Sequence, residues 1–167
     1  WVNQGEATFS NSPIGLSIYK TTSGDVENVS ALVRIAPTAP FKITALLNRG
    51  SLNNVNYPWI GLGWRDSSNG KMQILGFGST SNGNNVVVNY TNPTTQDSVP
   101  VNIANQGYGP HWAQLEDNIS GVFYKTSNDG LTWNILYSEL KSSSFLGVTG
   151  YNQICLIVNP FGYDCSA

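Results

Sequence analysis

Residues Trp112 to Trp133 read Trp-Ala-Gln-Leu-Glu-Asp-Asn-Ile-Ser-Gly-Val-Phe-Tyr-Lys-Thr-Ser-Asn-Asp-Gly-Leu-Thr-Trp. Ala113 and Leu115 alternate with Trp112, Gln114 and Glu116, the period-two pattern of a strand with one buried face. Asp117-Asn118 turns the chain, and Ile119 to Thr126 is a β-branched and aromatic run. A second turn at Asn128-Asp129-Gly130 delivers the chain to a third strand at Trp133. Glycine accepts positive φ without a Cβ clash, so a turn of this type between such runs is a strong hairpin signal.

The same pattern extends outward. Glu6 to Ser10 and Gly15 to Lys20 are expected to pair around Asn11-Ser12-Pro13. Ser30 to Ala36 puts Leu32 and Arg34 on one face and Ala31, Val33 and Ile35 on the other. Phe41 to Asn48 follows as its partner, with Phe41, Ile43, Ala45 and Leu47 making one apolar face. Trp59 to Arg65 places Ile60, Leu62 and Trp64 on a core face opposite Trp59, Gly61, Gly63 and Arg65, where paired glycines leave a shallow depression. Lys71 to Phe77 and Val86 to Tyr90 continue as antiparallel neighbours, with Met72 and Ile74 toward the core and Gln73, Leu75 and Phe77 opposite. Thr91 to Pro110 reads as a long connection holding only a short strand at Val99 to Ile103. Gln153 to Asn159 is a further strand, and Leu140 to Tyr151 holds one helical turn. Ten or eleven strands with almost no helix predict an all-β fold, a two-sheet antiparallel jelly-roll sandwich, with a closed barrel as the alternative.

At 167 residues the chain fits a single domain, 1–167, with one core. It opens on Trp1 and is expected to be a piece of a longer protein. Charged residues are only 11%, against the usual quarter, at a net charge of −2. The eight Lys and Arg are scattered singly, so no phosphate-binding groove and no nucleic-acid partner is expected. No apolar run is long enough to cross a membrane as a helix. Cys155 reads as a buried strand thiol and Cys165 as a separate thiol in a polar tail, although a disulfide between them stays open. The lone His111 beside Trp112 reads as structural. No His or Cys cluster suggests a metal and no cofactor is expected; calcium on scattered Asp and Asn oxygens stays open.

Three pieces of the chain carry a resemblance. Trp112-Ala-Gln-Leu, Gly121-Val-Phe-Tyr and Ser127-Asn-Asp-Gly-Leu-Thr-Trp133 together resemble the Trp-x-x-Leu, Gly-x-x-Tyr, Ser-x-Asp-Gly-x-x-Trp run of concanavalin A-like lectin/glucanase (laminin G-like) sandwiches. Trp1-Val-Asn-Gln-Gly, Gly15-Leu-Ser-Ile-Tyr, Ala39-Pro-Phe-Lys-Ile-Thr-Ala and Gly61-Leu-Gly-Trp-Arg-Asp-Ser are similar to domains of this kind in bacteriophage tail and other virion proteins. The resemblance implies a virion-surface or extracellular attachment module. Its partners would be host-surface carbohydrate or neighbouring virion subunits, with the chain a homo-oligomer within the virion. It also implies a last strand after Asn159-Pro160-Phe161-Gly162, which is expected to be missing or supplied by another chain.

Glucanases of this fold hydrolyse with a Glu-x-Asp-x-x-Glu strand, whose alternation sets acid and nucleophile about 5.5 Å apart. The triplet is absent here: Asp25 and Glu27, the only acidic pair two apart, lie in a polar loop, and the adjoining Glu116 and Asp117 would point to opposite faces of a strand, so no enzymatic activity is expected. Ser127-Asn-Asp-Gly-Leu-Thr-Trp133 departs from a sialidase Asp-box by one missing residue and occurs once, which favours a plain hairpin. Neutral sugars need flat apolar surfaces and planar amide or guanidinium groups. Trp59, Arg65, Gln73, Trp112, Gln114 and Glu116 supply both if their strands pair as neighbours, and they are the expected carbohydrate site. The alternatives are a secreted carbohydrate-binding module and, more remotely, a glycoside hydrolase.

Overall fold

The computed structural model describes residues 1–13, 15–21, 26–48, 58–78, 83–104, 111–147, 150–161 and 165–166. In chain order the strands are β1 (Thr8–Ser12), β2 (Gly15–Lys20), β3 (Ser30–Ile35), β4 (Phe41–Leu47), β5 (Trp59–Arg65), β6 (Met72–Gly78) and β7 (Asn84–Asn92). They continue as β8 (Thr95–Ala104), β9 (His111–Asp117), β10 (Gly121–Ser127), β11 (Asn134–Leu140), β12 (Gln153–Asn159) and β13 (Cys165–Ser166). One 3-10 turn, Lys141–Ser143, is the only helix among the described residues. Six strands form one sheet in the order β3-β12-β5-β6-β7-β8, four form a second in the order β11-β10-β9-β4, and β1-β2-β13 make a small third. The described pairings are antiparallel.

The stretch from Trp112 to Trp133 is the hairpin pair expected, now resolved as β9, β10 and β11. Its second turn is knitted by side chains: Ser127 Oγ accepts the Gly130 amide at 2.8 Å, and Asp129 Oδ1 accepts Leu131 and Thr132 amides at 2.8 Å each. Gly130 takes φ +74°, the left-handed geometry that closes the turn.

The core lies between the six- and four-stranded sheets. Ile60, Leu62, Trp64, Leu75, Phe77 and Val87 of the larger sheet meet Ala113, Leu115, Val122 and Tyr124 of the smaller. The inward and outward faces of β4, β5 and β9 are those read from alternation. Phe41 meets Trp64 edge-on at 5.7 Å, Trp64 stacks on Tyr151 at 4.1 Å, and His111 stacks on Phe77 at 5.1 Å. His111 is therefore an inward-facing packing residue.

Several expectations need correction. β3 and β4 are not a pair, because β3 joins β12 in the large sheet whereas β4 joins β9 in the small one. On β6 it is Gln73, Leu75 and Phe77 that face the opposite sheet. Met72 and Ile74 lie on the outer face, where they are equally buried in a second cluster with Trp59, Val88, Tyr90, Cys155 and Ile157. The glycines of β5 leave no open depression, since a Cβ on Gly61 would fall 2.8 Å from Ile74 Cγ2 and one on Gly63 2.9 Å from Ile74 Cγ1. Ile74 fills the space they provide. The connection after Tyr90 is instead a hairpin: β7 runs to Asn92, turns at Pro93-Thr94 with Asn92 Oδ1 accepting the Thr94 amide at 3.0 Å, and returns as the ten-residue β8. Residues 105–110 of the expected connection lie outside the described residues. A strand does follow Phe161: β13 pairs with β2. Cys155 is buried and free, and burial pushes its thiol up to about 12, so it remains protonated and inert.

One end of the sandwich is closed by a buried charge. Asp117, 1% exposed, is ion-paired with Lys141, accepts the Tyr151 hydroxyl, and takes the Ile119 amide at 2.7 Å. Burial pushes its pKa up, but the Lys141 contact and the two hydrogen bonds outweigh it and hold the carboxyl below its ordinary value of 3.8. A depressed folded pKa adds stability that is complete above the unfolded value and lost as pH falls through the folded one. Thermal unfolding scans should therefore show Asp117→Asn less stable than wild type by about 1–2 kcal/mol at neutral pH. That gap should close as pH falls below about 4; a gap unchanged at pH 2 would show that the ion pair contributes nothing. Glu139 works in the opposite direction, because burial raises its pKa and its protonation favours the fold.

Candidate functional site

The strand order separates the six residues expected to form one site. Trp112, Gln114 and Glu116 do share an outward face, that of the four-stranded sheet. There Gln114 Nε2 donates to Thr44 Oγ1 at 3.0 Å, and Glu116 is ion-paired with Lys125 and, at 3.3 Å, with Lys42. The Lys125 hydrogen bond holds the Glu116 carboxyl below its ordinary value. The Trp112 ring lies against Gly130, whose Cβ would fall 2.8 Å from it. Trp59 and Arg65 are on the outer face of the other sheet, and Arg65 Nη1 donates to Gln153 Oε1 at 2.6 Å. Gln73 is on no surface. It is fully buried between the sheets, accepting from Tyr124 and donating to Asn89 Oδ1 at 2.8 Å. A site uniting all six residues therefore does not exist, because β5 and β9 belong to different sheets.

Of the six, Trp59 lines a cleft formed by described residues. This opening of about 400 Å³ sits on the outer face of the six-stranded sheet, at its β7-β8 side. Trp59, Val86 and Val88 form an apolar floor; Asn84, Gln96 and Asn102 bring neutral amides, and Glu27 supplies a carboxylate from the segment before β3. Beside the cleft the β7-β8 register shifts three times between Val87 and Asn92, and irregular pairing of this kind bends and twists a strand. Asn84 Nδ2 donates to Asn102 Oδ1 at 2.6 Å, tying the two strands across the rim.

Beneath the floor the packing is tight. The Trp59 ring stacks on Tyr90 at 5.7 Å with 25° between planes, and is only 5% exposed. Tyr90 donates its hydroxyl to Glu27 Oε2 at 2.6 Å, and Asn159 Nδ2 reaches the same oxygen at 2.6 Å. Burial, with the Glu27 charge beside it, pushes the Tyr90 hydroxyl far up, so it stays protonated and donates. Val86, Gln96, Asn102 and Glu27 were not legible as site residues. Val86-Val87-Val88-Asn89-Tyr90, apolar on both faces, was the available signal that the outer side of β7 is covered or occupied.

The molecule is thus an all-β sandwich of antiparallel sheets, with an apolar-floored cleft on the outer face of its six-stranded sheet. No protein-family model matches the chain, and no curated protein does. Among solved structures it is similar to a functionally unknown protein from Saccharomyces cerevisiae, at 11% identity and a TM-score of 0.57, over 98% of this chain and 92% of that one. It is also similar to the CBM2 module of an evolved Dit from Lactobacillus casei BL23 phage J-1, at 11% identity and a TM-score of 0.47, over 95% and 77% of the two chains. At such identity the likeness to the yeast protein shows the fold alone.

Proposed function

We propose that this domain is a non-catalytic saccharide-binding module with a concanavalin A-like jelly-roll arrangement. In this reading it serves attachment at the surface of a phage-type virion, and the cleft holds host-surface carbohydrate. The observation that carries it is the cleft's lining: an apolar floor of Trp59, Val86 and Val88 beside the amides of Asn84, Gln96 and Asn102. A pyranose offers C–H faces to such a floor and paired hydroxyls to such amides, and carries no charge for a basic groove to grip. The 11% charged composition and the sequence resemblance to virion domains support the same reading. Hydrolysis would need two facing carboxylates, and among the described residues Glu27 is the one that lines the cleft.

Trp59→Ala is a poor probe of this site, because removing a buried, stacked indole costs about 3–5 kcal/mol in stability whatever the ligand. Val99 lines the cleft yet is 40% exposed, so Val99→Asp adds charge to the cleft at little cost to the fold. On a glycan array, Val99→Asp and Gln96→Ala should each weaken wild-type binding by about ten-fold with thermal stability nearly unchanged. Trp112→Ala, on the other sheet, should leave binding intact. Saccharide binding by wild type that survives both cleft substitutions would move the site elsewhere, and absence of any binding would defeat the reading.

A second reading, packing against neighbouring virion subunits, has its own observation. Leu46 and Ile135, on the outer face of the four-stranded sheet, are 49% and 59% exposed. Sedimentation showing self-association that Leu46→Lys and Ile135→Lys abolish, with no glycan bound, would favour it.

A further inference from the structure

We propose that Glu27 makes the cleft selective for neutral, hydroxyl-rich saccharides over those bearing a carboxylate or sulfate, its free oxygen accepting a ligand hydroxyl. This rests on the saccharide reading above and names the substrate class for the same cleft. The carboxylate is held in place by its neighbours. Its Oε2 takes the Tyr90 hydroxyl and Asn159 Nδ2, both at 2.6 Å, and Asn159 Oδ1 in turn accepts the Asn28 amide at 3.2 Å. Tyr90 and Asn159 are wholly buried, and Tyr90 is stacked under Trp59, so neither donor can swing away. Both donors reach Oε2, and no described residue hydrogen-bonds Oε1.

A carboxylate oxygen only accepts, so whatever meets Oε1 in the cleft must donate. A sugar hydroxyl does so, and a hydrogen bond to a charged acceptor is shorter and stronger than one to an amide. Preorganisation by Tyr90 and Asn159 means that little rotamer freedom remains to be lost on binding. A uronate, sialyl or sulfated ligand brings a second negative charge. Among the described residues lining the cleft none is Lys or Arg, so that charge would face Glu27 with no cation of this lining beside it. The floor of Trp59 and Val88 accepts the C–H side of either kind of ring, which leaves Glu27 to discriminate between them.

The test uses the intact chain and matched pairs of oligosaccharides, neutral hexose chains and their uronate counterparts, titrated calorimetrically at low salt. Wild type should bind the neutral member about ten-fold or more tightly than the uronate. Glu27→Gln, which keeps the side chain's shape, should weaken the neutral ligand by about five-fold and narrow the gap between the pair. Equal or tighter binding of the uronate by wild type overturns the proposal, and this comparison needs no variant to fold. Folded Glu27→Gln with unchanged affinity and unchanged discrimination overturns it as well. If wild type binds no saccharide of either kind, the saccharide reading itself has failed; if it prefers uronates and Val99→Asp abolishes that binding, only the role given to Glu27 has failed.

Discussion

Gly76→Ala should destabilise the domain by about 2–4 kcal/mol and, with it, abolish the saccharide binding proposed for the cleft. A Cβ at position 76 would clash with the Trp59 ring, 2.6 Å from Cζ3, and would lie 3.1 Å from Val86 Cγ2. The ring has no easy retreat. Tyr90 lies stacked against it and is tied through its hydroxyl to Glu27. Strain must therefore open the β5-β6 ladder or drive the indole into the cleft. Either outcome removes the floor on which a ligand would rest, which joins stability to function at one backbone position. Gly78→Ala is the matched control, two residues along the same strand. Its Cβ would meet Trp59 Cβ at 3.8 Å, an ordinary contact, so the change should be neutral or slightly stabilising through the lost flexibility of the unfolded chain. Urea titrations with unchanged slope would read the difference in midpoint. Equal stability of the two variants would show that the indole is not wedged against β6.

The contrast between those two glycines marks how far the sequence could be read. Period-two alternation gave the inward faces of β4, β5 and β9, because each has one face toward the opposing sheet and a clear apolar set to put there. It failed on β6. Met72-Gln73-Ile74-Leu75 is buried on both sides, since the six-stranded sheet is packed on its outer face as well, and alternation loses meaning when both sets are interior. Sheet membership was not legible at all. β12 inserts between β3 and β5 from more than a hundred residues beyond β3, and β4 finds β9 rather than its neighbour in sequence. Such pairings are fixed by long-range packing, about which local residue preference says little. The candidate site suffered most from this. Glu27, Trp59, Val86 and Gln96 come from four separate segments and look unremarkable one at a time, whereas Trp112, Gln114 and Glu116 drew attention by spacing alone. Of the residues expected to bind, Trp59 is the one that lines the cleft. Polarity misled at Gln73, where an amide was taken for surface and is part of the interior.

That amide carries the second large effect. Gln73 is the middle of a hydrogen-bonded chain crossing the sandwich: Tyr124 of the small sheet donates to its Oε1, its Nε2 donates to Asn89 Oδ1 at 2.8 Å, and Asn89 Nδ2 donates to Ser98 Oγ at 3.1 Å. Burial pushes the Tyr124 hydroxyl well up, so it remains a donor at any ordinary pH. Gln73→Leu keeps the volume but leaves the Tyr124 hydroxyl and the Asn89 carbonyl without their partner in a region closed to water. Each stranded group costs about 1–3 kcal/mol, so a loss of about 3–4 kcal/mol is expected. Tyr124→Phe strands only Gln73 Oε1 and should cost about 1–2 kcal/mol. The double variant removes donor and acceptor together. Its loss should therefore fall short of the sum by about 1–2 kcal/mol, a coupling that a packing defect alone would not produce. The same contact is a polar link between the two sheets, so its geometry fixes how β10 lies over β6 where apolar side chains would tolerate sliding. Loss of near-ultraviolet circular dichroism in Gln73→Leu at temperatures where far-ultraviolet signal persists would show that alignment relaxing. Strict additivity in the cycle would mean that the two residues stabilise the sandwich independently, and that the interior chain of amides and hydroxyls does not act as a unit.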